Sequence, residues 1–175
     1  MKTATRHALL ALLLGSTVTG ALPAAEPSPV TVVFSQPEKY ADLRDDFSDN
    51  DNARGRARFL PPIQEHLQRE AGRRLAAGQK LTVTFTDIDL AGDFEPWRGV
   101  QFDHVRIVKD LFIPRLTLKF TLADASGNVL KEGERKLVDS SFQMRITPGF
   151  QTDELRYEKA MLSDWLRDEL RPQRN

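Results

Sequence analysis

Cysteine is absent from all 175 residues, so no disulfide supports the fold and no thiolate serves as nucleophile, metal ligand or lipid-attachment point. Histidine is nearly as scarce, with three in the chain. Of these, His66 and His104 lack neighbouring His or Cys residues at zinc-ligand spacing, and both are expected to be solvated or packed. Asp103 beside His104 does not make an acid–base pair, because adjacent residues on a strand point to opposite faces. No nucleophile-elbow pattern surrounds any serine, which excludes that hydrolase arrangement. Charge of one sign is missing too: 25 basic residues face 25 acidic ones, so bulk charge attracts neither nucleic acid nor an anionic membrane.

Long apolar runs are likewise absent. The one uninterrupted run, residues 8–14, is far shorter than the roughly 20 residues a membrane-spanning helix requires. Lys2 and Arg6 precede it, Gly15-Ser16-Thr17 follow, and a small-residue stretch ends in Ala24-Ala25. This is the plan of a secretory signal peptide, residues 1–24, with cleavage expected after Ala21 or Ala24. Its removal leaves 151 residues with 23 basic and 25 acidic side chains, a net charge of −2 with neutral histidines. That length suits one domain, residues 25–175, delivered to the periplasm with no later segment able to span a bilayer.

What is present is a sequence of clear periodicities. Val30, Val32 and Phe34 alternate with polar or outward residues as a first strand. Residues 36–58 are crowded with Asp, Asn and Arg and read as a long surface connection. A helix is expected to begin at Pro61-Pro62, to carry Ile63, Leu67, Ala71 and Leu75 on one face and to end at Gly78. Leu81, Val83 and Phe85 alternate with threonines, and the same parity carries Asp87 and Asp89 onto the buried face. A short strand over 104–108 follows the loop 91–101, and Leu116, Leu118, Phe120 and Leu122 mark another strand. Residues 124–128 form a hairpin turn with Gly127 or Asn128 at positive φ, leading into a charged edge strand over 129–137. A final helix over 153–170, capped by Thr152 or Asp153 and followed by Pro172, carries Leu155, Met161, Leu162, Trp165, Leu166 and Leu170. The expected fold is α+β: a mostly antiparallel sheet of four to five strands with two helices on one face.

The densest polar cluster is Asp87-Ile-Asp89-Leu-Ala-Gly-Asp93-Phe-Glu95-Pro-Trp97-Arg98. Several such oxygens suit a hard cation, yet the helix-loop-helix calcium pattern fails, since Ala91 stands fifth and Arg98 twelfth, where a bidentate Glu belongs. The favoured reading is ion pairing of Asp87, Asp89, Asp93 and Glu95 with Arg98, Arg106, Lys109 and Arg115; recognition of a cationic or sugar ligand is the other. Trp97 either packs over the core edge or stands out as an anchor for a partner or a sugar. The charged run 131–136 reads as a solvated edge.

At these residues the chain resembles an exported bacterial family, domain of unknown function 3016. The resemblance rests on 87–98, on Val105-Arg-Ile-Val-Lys-Asp110 with Pro114-Arg115, and on Tyr157-Glu-Lys-Ala-Met-Leu-Ser-Asp-Trp-Leu166. It implies a signal peptide and one domain, and it transfers no activity, ligand or catalytic residue. With no catalytic set and no cofactor pattern, the expected function is non-catalytic binding of an envelope protein or wall component through the face holding Trp97 and the acidic loop. The alternative is a metal-dependent hydrolase using Asp87, Asp89 and Asp93 with Glu95 as base, which requires those carboxylates to converge with no arginine among them.

Overall fold

The computed structural model describes residues 28–145 and 152–171. The signal segment and Pro172 lie outside the described residues. The elements run β1 (Val30–Phe34), α1 (Ala53–Gly72), β2 (Lys80–Asp89), β3 (Asp93–Phe94), β4 (Arg106–Ile107), β5 (Arg115–Ala123), β6 (Val129–Val138) and α2 (Arg156–Glu169). Four strands form one mixed sheet in the order β1-β2-β5-β6, and β3 with β4 makes a two-stranded ladder. β1 and β2 are parallel, which a hairpin cannot achieve, so α1 serves as their crossover. The remaining pairings are antiparallel.

Alternation decides which face is covered. Val30, Leu81, Val83, Phe85, Leu116, Leu118, Phe120 and Leu122 all point into the helical layer and are buried. Ile63, Leu67 and Ala71 of α1 and Met161, Leu162, Trp165 and Leu166 of α2 close over them. Phe120 and Trp165 meet edge to face with centroids 5.6 Å apart. The α+β architecture is therefore as the periodicities predict.

The hairpin turn also forms as expected. Gly127 takes φ of 87°, and the Asp124 carboxylate accepts from the amides of Ser126 and Asn128. β6 lies at the sheet edge, and its two faces differ more than its composition suggests. Lys131 and Arg135 turn back over the core to pair with Glu169 of α2, while Arg135 lies 5.0 Å from the Phe120 ring centroid.

Four expectations are corrected. First, α1 begins at Ala53, so Pro61 and Pro62 stand inside it. The two turns before the prolines are held by groups outside the helix. Asp49 accepts from the amides of Arg54 and Gly55, and Asn52 joins the helix start to the preceding loop through Leu43 N–H and Tyr40 C=O. The helix ends at Gly72, and Gly78, at φ of 80°, serves the later turn into β2.

Second, the 36–58 connection is not wholly surface, because Tyr40 and Leu43 are buried in the core. Residue 42 continues along the side of β2 that β1 vacates, donating to Ile88 O and accepting from Leu90 N. Third, α2 begins at Arg156 without a side-chain cap on its N-cap residue; Asp153 instead accepts from the Leu155 amide and from Lys159. The fourth correction concerns the acidic strand end. The register slips between Phe85 and Asp87, so the bulge at Thr86 reverses the alternation: Ile88 enters the core, and Asp87 and Asp89 turn away from it.

Candidate functional site

The bulge places Asp89 at the rim of a hollow of about 280 Å³ lined in part by Asp42, Arg44, Asp93, Leu111 and Arg115. Asp42 is the centre of the charge arrangement. It is buried, and it takes Arg106 on both carboxylate oxygens at 2.9 and 3.2 Å, with Arg44 Nε at 3.0 Å. Arg44 then reaches Asp93 at 2.6 Å, and Arg106 also donates to the carbonyl oxygens of Gly92 and Arg44 at 2.8 Å each. Both guanidinium groups lie against Phe94, at 4.7 Å for Arg106 and 5.6 Å for Arg44. Burial pushes the Asp42 carboxyl upward, but the hydrogen bonds from Arg106 and Arg44 outweigh it and hold the group below its usual range.

The other predicted residues divide around this hub. Asp89 pairs with Arg115 at 2.8 Å; burial raises its carboxyl, the neighbouring Asp42 and Asp87 add to the rise, and Arg115 opposes it. Asp87 stands apart and accepts from the Ala41 amide at 2.8 Å. Glu95 is turned inward into a separate triad, its buried carboxylate held by the partly exposed Arg98 and Lys109, whose hydrogen bonds lower its carboxyl. The structure thus brings Asp89, Asp93 and Arg115 to one hollow with Arg106 behind it, and gathers Glu95, Trp97 and Arg98 on the next turn.

Asp42 and Arg44 were not among the residues read from the sequence. The signal available was Tyr40 and Leu43, two large apolar side chains flanking Asp42 inside an otherwise polar run.

The hydrolase alternative loses its geometric requirement. Asp93 is taken by Arg44, Asp89 by Arg115 and Asp87 by the Ala41 amide, and among the described residues no group of three His, Cys, Asp or Glu side chains is placed to hold a metal.

Trp97 is not packed over the core. It sits on a short 3-10 turn, Pro96–Arg98, and is 74% exposed, with Val100 beyond it at 83%. The base of that turn is fixed, because Glu95 is buried and clamped by two cations while Gly99 takes φ of 107° to redirect the chain. A rigid base under an exposed indole can offer a large contact area with little ordering cost.

A second cleft, of about 360 Å³, lies between the N-terminal part of each helix and β4; its lining includes Arg58, Phe59, His104, Arg106, Arg156 and Tyr157. Arg58 there is held by Asp45 and Glu154, and Arg156 stacks on Tyr157 at 4.4 Å.

Fold and site define an α+β protein whose sheet end is locked by a buried arginine–aspartate hub and displays one exposed tryptophan. The chain belongs to the family described as protein of unknown function (DUF3016), whose model matches residues 28–168. No curated protein matches it. Among solved structures it is similar to a putative lipoprotein from Caulobacter crescentus CB15, at 12% identity and a TM-score of 0.34, covering 82% of this chain and 86% of that one. No helix among the described residues is long and apolar enough to cross a membrane.

Proposed function

We propose that the protein is an exported, non-catalytic domain of the cell envelope that binds a protein or wall component through the Trp97 turn. The observation that carries this reading is an indole 74% exposed on a turn whose neighbouring Glu95 is buried between Arg98 and Lys109. An aromatic left in water on a fixed support suits recognition better than fold stability, to which it contributes little apolar burial. Arg98 beside it and Val100 beyond it supply a cation and further apolar area for the same contact. Export rests on the charged and apolar pattern of residues 1–24.

The two tryptophans make the test direct. Trp165 is buried, so quenching of wild-type fluorescence by a soluble quencher reports chiefly on Trp97. Purified wall sacculi and a fractionated envelope-protein extract should each be titrated against the mature protein and against Trp97→Ala. Protection of the fluorescence by one of the two, with retention lost in Trp97→Ala, supports the reading and separates wall from protein. Equal retention of both forms removes Trp97 from the binding surface.

A further inference from the structure

The two edges of the sheet are built differently. β6 carries Lys131, Glu132, Glu134, Arg135 and Lys136, the charged character that discourages a further strand. β1, at the other edge, reads Val-Thr-Val-Val-Phe and carries no charge, no proline and no glycine.

The backbone of β1 is also half unused. Leu81 donates to Pro29 O and Ser35 donates to Phe85 O, so the odd-numbered residues of this parallel strand face β2. The N–H and C=O groups of Val30, Val32 and Phe34 therefore point outward. Val30 has local substitutes in the Ser28 hydroxyl at 3.2 Å and the Gln68 amide at a long 3.5 Å. Val32 and Phe34 have no outward partner among the described residues.

We propose that β1 is a self-association edge at which a second copy of this chain adds its own β1, antiparallel, about a two-fold axis through Val32. That register places Val30 opposite Phe34 of the partner subunit and Val32 opposite the partner's Val32. These are the outward-facing residues, so each pair exchanges both backbone hydrogen bonds, Val30 giving up its contacts with Ser28 and Gln68 to do so. Thr31 then lies opposite the partner's Val33, on the solvent-facing side, and no charged pair stands anywhere in the ladder. The arrangement is self-complementary in the sense a two-fold interface demands. It covers Val33, which is 43% exposed, and further buries Val32 and Phe34, which the subunit leaves partly covered. A foreign strand could use the same backbone groups, but a second copy brings the same uncharged Val-Thr-Val-Val-Phe segment, so pairing with it buries and opposes no charge.

The test is the mass of the mature chain by sedimentation equilibrium across a dilution series, alongside Thr31→Lys/Val33→Lys and Trp97→Ala. Thr31 and Val33 are exposed on the solvent face, so the lysines leave the subunit fold intact, which circular dichroism checks. In the dimer they place lysine against lysine on both sides of the axis. The expected result is a wild-type mass twice that of the monomer at the upper concentrations, halved in the lysine variant and unchanged in Trp97→Ala. Three results overturn the proposal: a monomeric wild type throughout, a dimer that survives the lysines, or a dimer lost on replacing Trp97.

Discussion

Nε2 of His66, on α1, lies 3.0 Å from the carbonyl oxygen of Lys159, on α2. A carbonyl only accepts and an arginine only donates, so this contact and that of Arg69 with Nδ1 at 3.3 Å fix the neutral tautomer with the proton on Nε2. The ring is fully buried, and burial pushes its pKa down to about 4. Protonation keeps the bond to Lys159 but buries a charge and turns Nδ1 into a donor facing the Arg69 guanidinium.

The sign of the pH effect follows. Because the folded value lies below the unfolded one, near 6.5, the unfolded chain binds the proton first as pH falls. Stability from this group is complete above pH ~6.5, declines towards pH ~4, and its loss amounts to about 3 kcal/mol. Urea unfolding between pH 7 and 4 measures the decline, and the NMR titration of the His66 ring locates its midpoint. A midpoint near 6.5 would show the ring to be solvated.

Glu158 moves the other way. It is buried on α2, accepts from the Ala91 amide at 2.7 Å through Oε1, and its Oε2 has no hydrogen-bond partner among the described residues. Burial raises its carboxyl above the usual range despite the nearby Arg106 and Arg156. Stability from this group is complete below the unfolded carboxylate pKa and is lost as pH rises through the folded one. Glu158→Gln keeps the acceptor and removes the charge, so it should raise the unfolding midpoint at pH 8, by about 1–3 kcal/mol of stability. A lower midpoint at that pH would mean that the charge is stabilised in place.

Gly55 is required by proximity. A Cβ built there lies 1.5 Å from the carbonyl oxygen of Leu43, a backbone atom whose segment is tied down by Asn52. Gly55→Ala should destabilise the protein by about 3 kcal/mol or more, whereas the same change at Gly72, with open space around it, should be near neutral or stabilising. Chemical denaturation of the two variants side by side makes the comparison.

Asp42 separates the hub from its rim. Asp42→Asn leaves Arg106 without its counter-charge in a largely buried position and should cost about 3–5 kcal/mol. Asp93→Asn removes a more exposed pair and should cost less than ~1 kcal/mol. Thermal unfolding orders the two. Adding Ca²⁺, Mg²⁺, Mn²⁺ or Zn²⁺ should leave the wild-type midpoint in place, because arginine side chains already occupy the carboxylate oxygens.

The sequence by itself determined the α+β class, the strands at β1, β2, β5 and β6, the hairpin turn and the apolar stripe of α2. Each is set by alternation or helical spacing among neighbours in the chain, which needs no knowledge of what lies opposite. It also set the acids of 87–95 against Arg98, Arg106, Lys109 and Arg115 as a group, since these lie on adjacent segments, but which acid meets which base came from the fold. Only the tertiary structure decided the rest. One extra residue at Thr86 reversed the faces of Asp87 and Asp89, and a bulge is defined by the partner strand it slips against. The early start of α1 depended on Asp49, outside the helix, accepting from the first-turn amides of Arg54 and Gly55, and on Asn52 accepting from the Leu43 amide. Asp42 became the hub because Arg106, 64 residues away, reaches it, and charge partners at such separations leave no periodic trace in a sequence. The exposure of Trp97 was settled in the same way, by a turn whose direction Glu95 fixes through its contact with Lys109.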